Sequence, residues 1–148
     1  MKLSLFSDYA LRVLIYASLR KGLFPLQDVS EAYGISRNHL AQVVHRLGQL
    51  GYLENRRGRG GGCRLALLPN EVRLGHLLRQ TEDQLKVVEC FDPLTNTCNL
   101  NGCCLVKGAL AEAMSAFYTS LDRYTLADIA LGPERPGLTR ILFPSASG

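Results

Sequence analysis

The stretch from Gly34 to Leu65 limits the fold more than any other part of this chain. Gly34 ends an apolar spacing at Leu26, Val29 and Tyr33, and Ser36 follows as a helix N-cap. Leu40, Val43, Val44, Leu47 and Leu50 then recur at helical intervals, predicting one buried stripe on a helix that stops near Gly51. The opposite face carries Asn38, Gln42, His45 and Gln49, flanked by Arg37, His39 and Arg46, with no carboxylate from Arg37 to Gln49. A short helix, a glycine turn and a second helix make a helix-turn-helix. Carboxylates on such a face would be repelled by phosphate. Amides and guanidinium groups can address base edges in a major groove.

Two short strand patterns follow around Arg56-Arg57-Gly58-Arg59-Gly60-Gly61-Gly62, the layout of a wing. Glycine lets backbone approach phosphate closely, and arginine enters a narrow minor groove. A nucleotide-binding loop is a poor alternative, because no Gly-Lys-Ser/Thr follows and no helix begins there. The candidate DNA contacts are Ser36, Arg37, Asn38, His39, Gln42 and Arg46 on the helix, with Arg56, Arg57 and Arg59 on the wing.

Charge is distributed unevenly along the 148 residues. Residues 1–80 hold 12 Lys/Arg against 5 Asp/Glu (+7), whereas residues 81–148 hold 5 against 8 (−3). A basic half followed by a mildly acidic half suits a nucleic-acid reader joined to a regulatory or oligomerisation element. No apolar run approaches the roughly 20 residues of a bilayer span. The N-terminus shows no signal peptide, so no membrane association is expected and the chain is expected to stay in the cytoplasm. Thiols are reduced there.

The remaining elements are simpler. Ser7 or Asp8 is the expected cap of a first helix running to about Arg20 and closed by Gly22. A short strand and helix are predicted over 71–83, packed through Leu74, Leu77 and Leu78. Val106, Ala109, Leu110, Ala113, Phe117, Leu121 and Tyr124 predict a helix over about 104–124, roughly 30 Å long at 1.5 Å per residue. A helix of that length after a small domain needs a surface to cover it, and a second subunit would supply one. Thr125-Leu126-Ala127-Asp128 predicts a capping box and a brief helix. The Pro/Gly/Ser-rich remainder predicts a flexible tail. The expected fold class is mainly α with a small β wing. The expected organisation is a winged helix-turn-helix over 1–83, a cysteine loop over 84–103, a dimerisation helix and short terminal helix over 104–131, and a tail over 132–148.

Four of the five cysteines fall in one segment, as Cys90-x7-Cys98-x5-Cys104 with Cys103 beside the last. The spacing lacks the Cys-x2-Cys knuckles of structural zinc, and His39, His45 and His76 lie in other elements. Cys63 fits a buried strand position beside Leu65 and Leu67. Three loop thiolates suit an iron–sulfur cluster. A cubane would leave one iron without cysteine, to be filled by an oxygen ligand, a small thiol or an exchangeable site. Two rivals stand beside this reading. One is a cluster-free thiol switch. The other is a redox or cluster-transfer enzyme, which is disfavoured because no nucleophile–base pair or cofactor loop is apparent.

Taken in order, these features resemble the winged-helix family of iron–sulfur transcription regulators that includes IscR, and within it the nitric-oxide-responsive repressors. The resemblance covers about residues 1–131. It rests on Leu3-Ser4-Leu5-Phe6-Ser7-Asp8-Tyr9-Ala10-Leu11-Arg12, on Tyr33-Gly34-Ile35-Ser36-Arg37-Asn38-His39-Leu40, on the Arg/Gly wing, on the cysteine loop, and on Ala116-Phe117 through Tyr124-Thr125-Leu126-Ala127-Asp128. It implies a homodimer that binds double-stranded promoter DNA and carries a 4Fe-4S cluster in each subunit, with 2Fe-2S as the alternative. Nitric oxide is the implied signal, nitrosylating iron and lowering operator affinity. The implied metal ligands are Cys90, Cys98 and Cys104, with Asp8 supplied by the other subunit; Arg12, one turn on, could orient Asp8. The first cysteine interval is longer than is usual in the family. Lys107 stands where the IscR branch would place a histidine ligand.

Overall fold

The computed structural model describes residues 2–82, 87–100 and 102–144. The expected boundary at residue 83, the first loop residues 84–86 and the last residues 145–148 lie outside the described residues. The protein is mainly helical, with one two-stranded antiparallel sheet.

Helix α1 (Leu5–Leu19) is apolar almost all round, and the fold is built about it. Ala10, Val13 and Leu14 are wholly buried, and Tyr16 and Ala17 nearly so. Its N-cap is Ser4, whose hydroxyl accepts from the Ser7 N–H at 3.1 Å. This corrects the expected cap at Ser7 or Asp8. Ser7 is buried within the helix and hydrogen-bonds Thr81 at 2.8 Å, and Asp8 lies in the first turn.

Helix α2 (Leu26–Tyr33) ends at Gly34 in the left-handed region, φ +64°. Ile35 then enters the core, and Ser36 caps α3 (Arg37–Gln49), its hydroxyl accepting from the His39 N–H. Leu40, Val43, Val44 and Leu47 are buried as predicted. Strands β1 (Leu53–Arg56) and β2 (Gly62–Leu65) pair Leu53 with Leu65 and Asn55 with Cys63. Phe24 extends the sheet by exchanging backbone hydrogen bonds with Cys63 at 3.0 and 2.9 Å. A Cβ on Gly62 would run into the Phe24 carbonyl, so this approach demands glycine. Cys63 is a core residue, its thiol pushed up to about 12 by burial.

After a single turn at Pro69–Glu71, the predicted strand reduces to one bridge between Arg73 and Thr125. Helix α4 (Leu74–Thr81) buries Leu74, Leu77 and Leu78. Past the loop, α5 (Leu105–Leu121) spans 17 residues, about 25 Å. It leans on α4 where Gly75 lies against the Tyr118 carbonyl and the Asp122 carboxylate, an approach that leaves no room for a Cβ. Arg79 locks the crossing with a two-pronged ion pair to Asp122 at 3.1 and 2.8 Å. No residue of α5 is buried; Leu105 is 91% and Val106 63% exposed.

The chain then returns to the winged domain. Leu126 of α6 (Leu126–Ala130), opened by the predicted Thr125/Asp128 capping box, is fully buried in the core around α1. The tail differs from the flexible segment that composition predicts. Residues Arg135–Leu142 form α7, Leu142 is buried, and the Phe143 ring lies 4.9 Å from that of Tyr16. Pro136 is tolerated because it falls in the first turn, where a helix needs no N–H from it.

Truncating Leu126 to Ala should cost about 2–4 kcal/mol, read as a lower denaturant midpoint at unchanged slope. Hydrogen bonds from Arg79 hold the Asp122 carboxyl below its ordinary range. A carboxylate depressed in the folded state stabilises above its unfolded pKa, and that stabilisation is lost as pH falls through the folded one. Asp122→Asn should therefore lower Tm at neutral pH, and the gap to wild type should close on acidification.

Candidate functional site

The recognition surface is built on α3 and the wing. Ser36, Arg37, Asn38, His39, Gln42 and Arg46 are all exposed, as are Arg56, Arg57 and Arg59. The core stripe of α3 turns this polar face outward. Gly58 and Gly60 adopt φ of +93° and +72°, folding the wing tip tightly around Arg59. Two carboxylates near this surface are already engaged: Glu54 pairs with Arg64 at 2.7 Å, and Asp8 with Arg12 at 2.8 Å.

Helix and wing are tied together by a residue that sequence reading passes over. The Asn55 side-chain amide donates to the Val44 carbonyl at 3.0 Å, and Gly48 leaves the space it occupies. A polar residue in a two-residue alternation gives no hint of this bond. It is made to the backbone of another element.

The turn that carries Asp8 also touches α3. Arg12, besides pairing with Asp8, lies 6.0 Å from the Tyr9 ring centre and 5.9 Å from that of Tyr33. The Tyr33 hydroxyl donates to the Arg12 carbonyl at 3.0 Å, and burial pushes that phenol up to about 12. Tyr9 in turn lies 6.4 Å from the His39 ring. Leu5, Phe6 and Tyr9 of α1 line one shallow cleft with His39, Gln42 and Val43 of α3. Asp8 is thus next in sequence to Tyr9, the residue of α1 that faces His39 in the first turn of the recognition helix.

A second link joins α1 to the helix that precedes the cysteine loop. Glu82, the C-cap of α4, accepts from the Ser4 N–H at 2.9 Å and from its hydroxyl at 3.0 Å. Arg46 lines the same cleft as Ser4, Thr81 and Glu82. The pairing spans 78 residues and is invisible to local pattern.

The loop itself has one tight turn at Glu89–Phe91 and a knot of hydrogen bonds around Asp92, which accepts from the Leu94 N–H and the Thr95 hydroxyl at 3.0 Å each. Cys90, Cys98 and Cys104 are free thiols at intermediate exposure, and Cys103 is exposed. Cys104 is the N-cap of α5 and makes no side-chain cap bond. Among the described residues of a single chain, no three His, Cys, Asp or Glu side chains converge on one metal-sized site. The donors are soft, unpaired and on one loop, a composition that fits an iron–sulfur group. In one chain they are not drawn together.

A helix-turn-helix with an Arg-rich wing and an outward, carboxylate-free recognition face defines a winged-helix DNA-binding transcription regulator. Residues 3–131 match the Rrf2 family model, described as iron-dependent transcriptional regulator. The chain belongs to that family. It is 47% identical over 136 residues to the HTH-type transcriptional regulator NsrR of Bacillus subtilis, covering 90% of this chain and 93% of that one. It is 45% identical to the NsrR of Shouchella clausii, covering 90% and 91%. Among solved structures, Staphylococcus aureus CymR in its oxidized form superposes with a TM-score of 0.68 at 25% identity, covering 88% of this chain and 96% of that one. The IscR of T. potens superposes at 0.71 with 23% identity, covering 92% and 90%, a likeness of fold. Among the described residues no helix is long and apolar enough to cross a membrane.

Replacing Arg56, Arg57 and Arg59 together with Ala should flatten the log–log salt dependence of DNA binding by up to about three units, roughly one for each lost phosphate contact. An unchanged slope in a fluorescence-anisotropy titration would remove the wing from the interface. Glu82→Ala, which deletes both Ser4 bonds, should lower Tm by about 3–6 °C.

Proposed function

We propose that this regulator is a homodimeric repressor that senses nitric oxide through an iron–sulfur cluster, 4Fe-4S in preference to 2Fe-2S. Cys90, Cys98 and Cys104 are the proposed ligands, with Asp8 reaching across from the partner copy. The observation that carries this reading is the set of three free, partly exposed thiols that follow α4, the helix whose C-cap Glu82 bonds the N-cap of α1. Two relatives named NsrR above 40% identity support it. The uncovered apolar residues of α5 support a second copy, since in one chain Leu105 and Val106 face water.

When bound, the cluster supplies iron that nitric oxide can attack; the rest of the response belongs to the protein. Asp8 has two competing roles, as a partner for Arg12 and as a ligand. Drawing its carboxylate toward the partner's loop loosens Arg12, which stacks near Tyr9 and Tyr33, and Tyr9 lies against His39. Releasing Asp8 restores the intrachain pair and shifts the start of α3. In the DNA-competent state Arg37, Asn38, His39 and Gln42 address base edges, while Ser36, Arg46 and the wing arginines hold the backbone. A 100-fold loss of operator affinity needs only ~2.7 kcal/mol of differential stabilisation.

One observation favours a second reading. Cys103 is exposed beside Cys104, and the structural relative CymR was crystallised in an oxidized form. A cluster-free thiol switch would use the same loop.

Protein purified without oxygen should be coloured and contain sulfide, and should lose promoter binding in a gel shift on exposure to nitric oxide. Cys98→Ala should abolish cluster retention while leaving the far-ultraviolet circular dichroism unchanged. Colourless protein whose DNA binding follows thiol reductant alone would replace the cluster reading with the thiol switch.

A further inference from the structure

Helix α7 lies beyond residues 3–131 of the family match, and it closes one side of an open cavity of about 550 Å³. The volume falls within the range of small-molecule sites. Tyr16 of α1 and Arg20, its C-cap, line one wall, Asp28 and Glu31 of α2 another, and Ile141 and Phe143 a third. None of the three charged groups forms an ion pair with another, although opposite charges face one space. Arg20 only stacks near Phe143, 5.9 Å from its ring centre. Glu31 accepts one hydrogen bond from Gln27, and the Asp28 carboxylate accepts none among the described residues.

Tyr16 adds an independent sign of a ligand. The residue is 97% buried by its 3% exposure, yet its hydroxyl makes no hydrogen bond among the described residues. No fully buried side-chain oxygen or nitrogen among them lacks a partner, so this oxygen keeps some exposure, and Tyr16 is one of the residues that line the cavity. Burial first, then the nearby Asp28 charge, raises its pKa, while Arg20 acts in the opposite direction. The phenol therefore presents a neutral O–H to the cavity.

We propose that this cavity binds a small zwitterion of the α-amino acid class, its ammonium between Asp28 and Glu31, its carboxylate on Arg20, and its side chain against Ile141 and Phe143. A ligand that carries both charges can satisfy the two walls at once. The Tyr16 hydroxyl supplies a further hydrogen bond that is otherwise unused. Ile141, 73% exposed, gains an apolar neighbour. The site is distinct from the cysteine loop, so it can be tested on the full chain with or without iron.

Isothermal titration of the full chain with each proteinogenic L-α-amino acid, and with methylammonium and acetate as single-charge probes, tests the assignment. At least one amino acid should bind saturably and more tightly than either single-charge probe. Arg20→Ala, and separately Asp28→Asn combined with Glu31→Gln, should each weaken it by about tenfold or more, as expected for loss of a charge-assisted hydrogen bond. Both variants alter surface-accessible side chains, and an unchanged thermal melt would confirm their folding. Absence of saturable binding by any amino acid, equal binding of methylammonium or acetate, or undiminished affinity in both variants would overturn the proposal.

Discussion

The burial of α1 is the constraint on which the rest of the structure depends. A short helix that is apolar on nearly every side can be stable only when wrapped, and α2, α3, the wing, α4 and α6 wrap it. That arrangement has a mechanical consequence. The same helix and its N-cap touch the recognition helix through Tyr9, the end of α4 through Ser4 and Ser7, and solvent through Asp8. A core this closely packed transmits displacement because it cannot absorb it.

The helix before the thiol loop and the recognition helix both meet α1. One contact runs from Glu82, the C-cap of α4, to Ser4, and the other from Asp8 through Arg12 and Tyr9 to His39. Neither route is a chain of strong bonds; each is a polar contact sitting on a rigid helix. This suits a switch, in which a few kcal/mol must move an equilibrium without unfolding the domain. The Arg79–Asp122 lock and the Gly75 contact hold the C-terminal end of α5 to α4, the helix that Glu82 caps.

Much of the winged domain was legible because its signals are local. Gly34 followed by Ser36 marks the turn and cap, and Leu40, Val43, Val44 and Leu47 mark the buried face. What could not be read depends on partners far along the chain. Ser4 and Ser7 are equivalent as caps until Thr81 claims Ser7. Asn55 gains its role only from the α3 backbone. Composition misleads at α7, where Pro and Gly suggest mobility, while Leu138 and Leu142 keep helical spacing and Phe143 finds the Tyr16 ring. The cysteine spacing points to metal chemistry, but three thiols on one chain do not by themselves show a gathered site.

The central claim, that occupancy of the cysteine loop is felt at the recognition helix through α1, is tested most directly by hydrogen exchange on anoxic protein, iron-loaded and stripped. The account predicts that stripping raises exchange in three connected places: residues 4–12, residues 77–82, and the first turns of α3. A change confined to residues 88–104, with α1 and α3 exchanging identically in both forms, would contradict it.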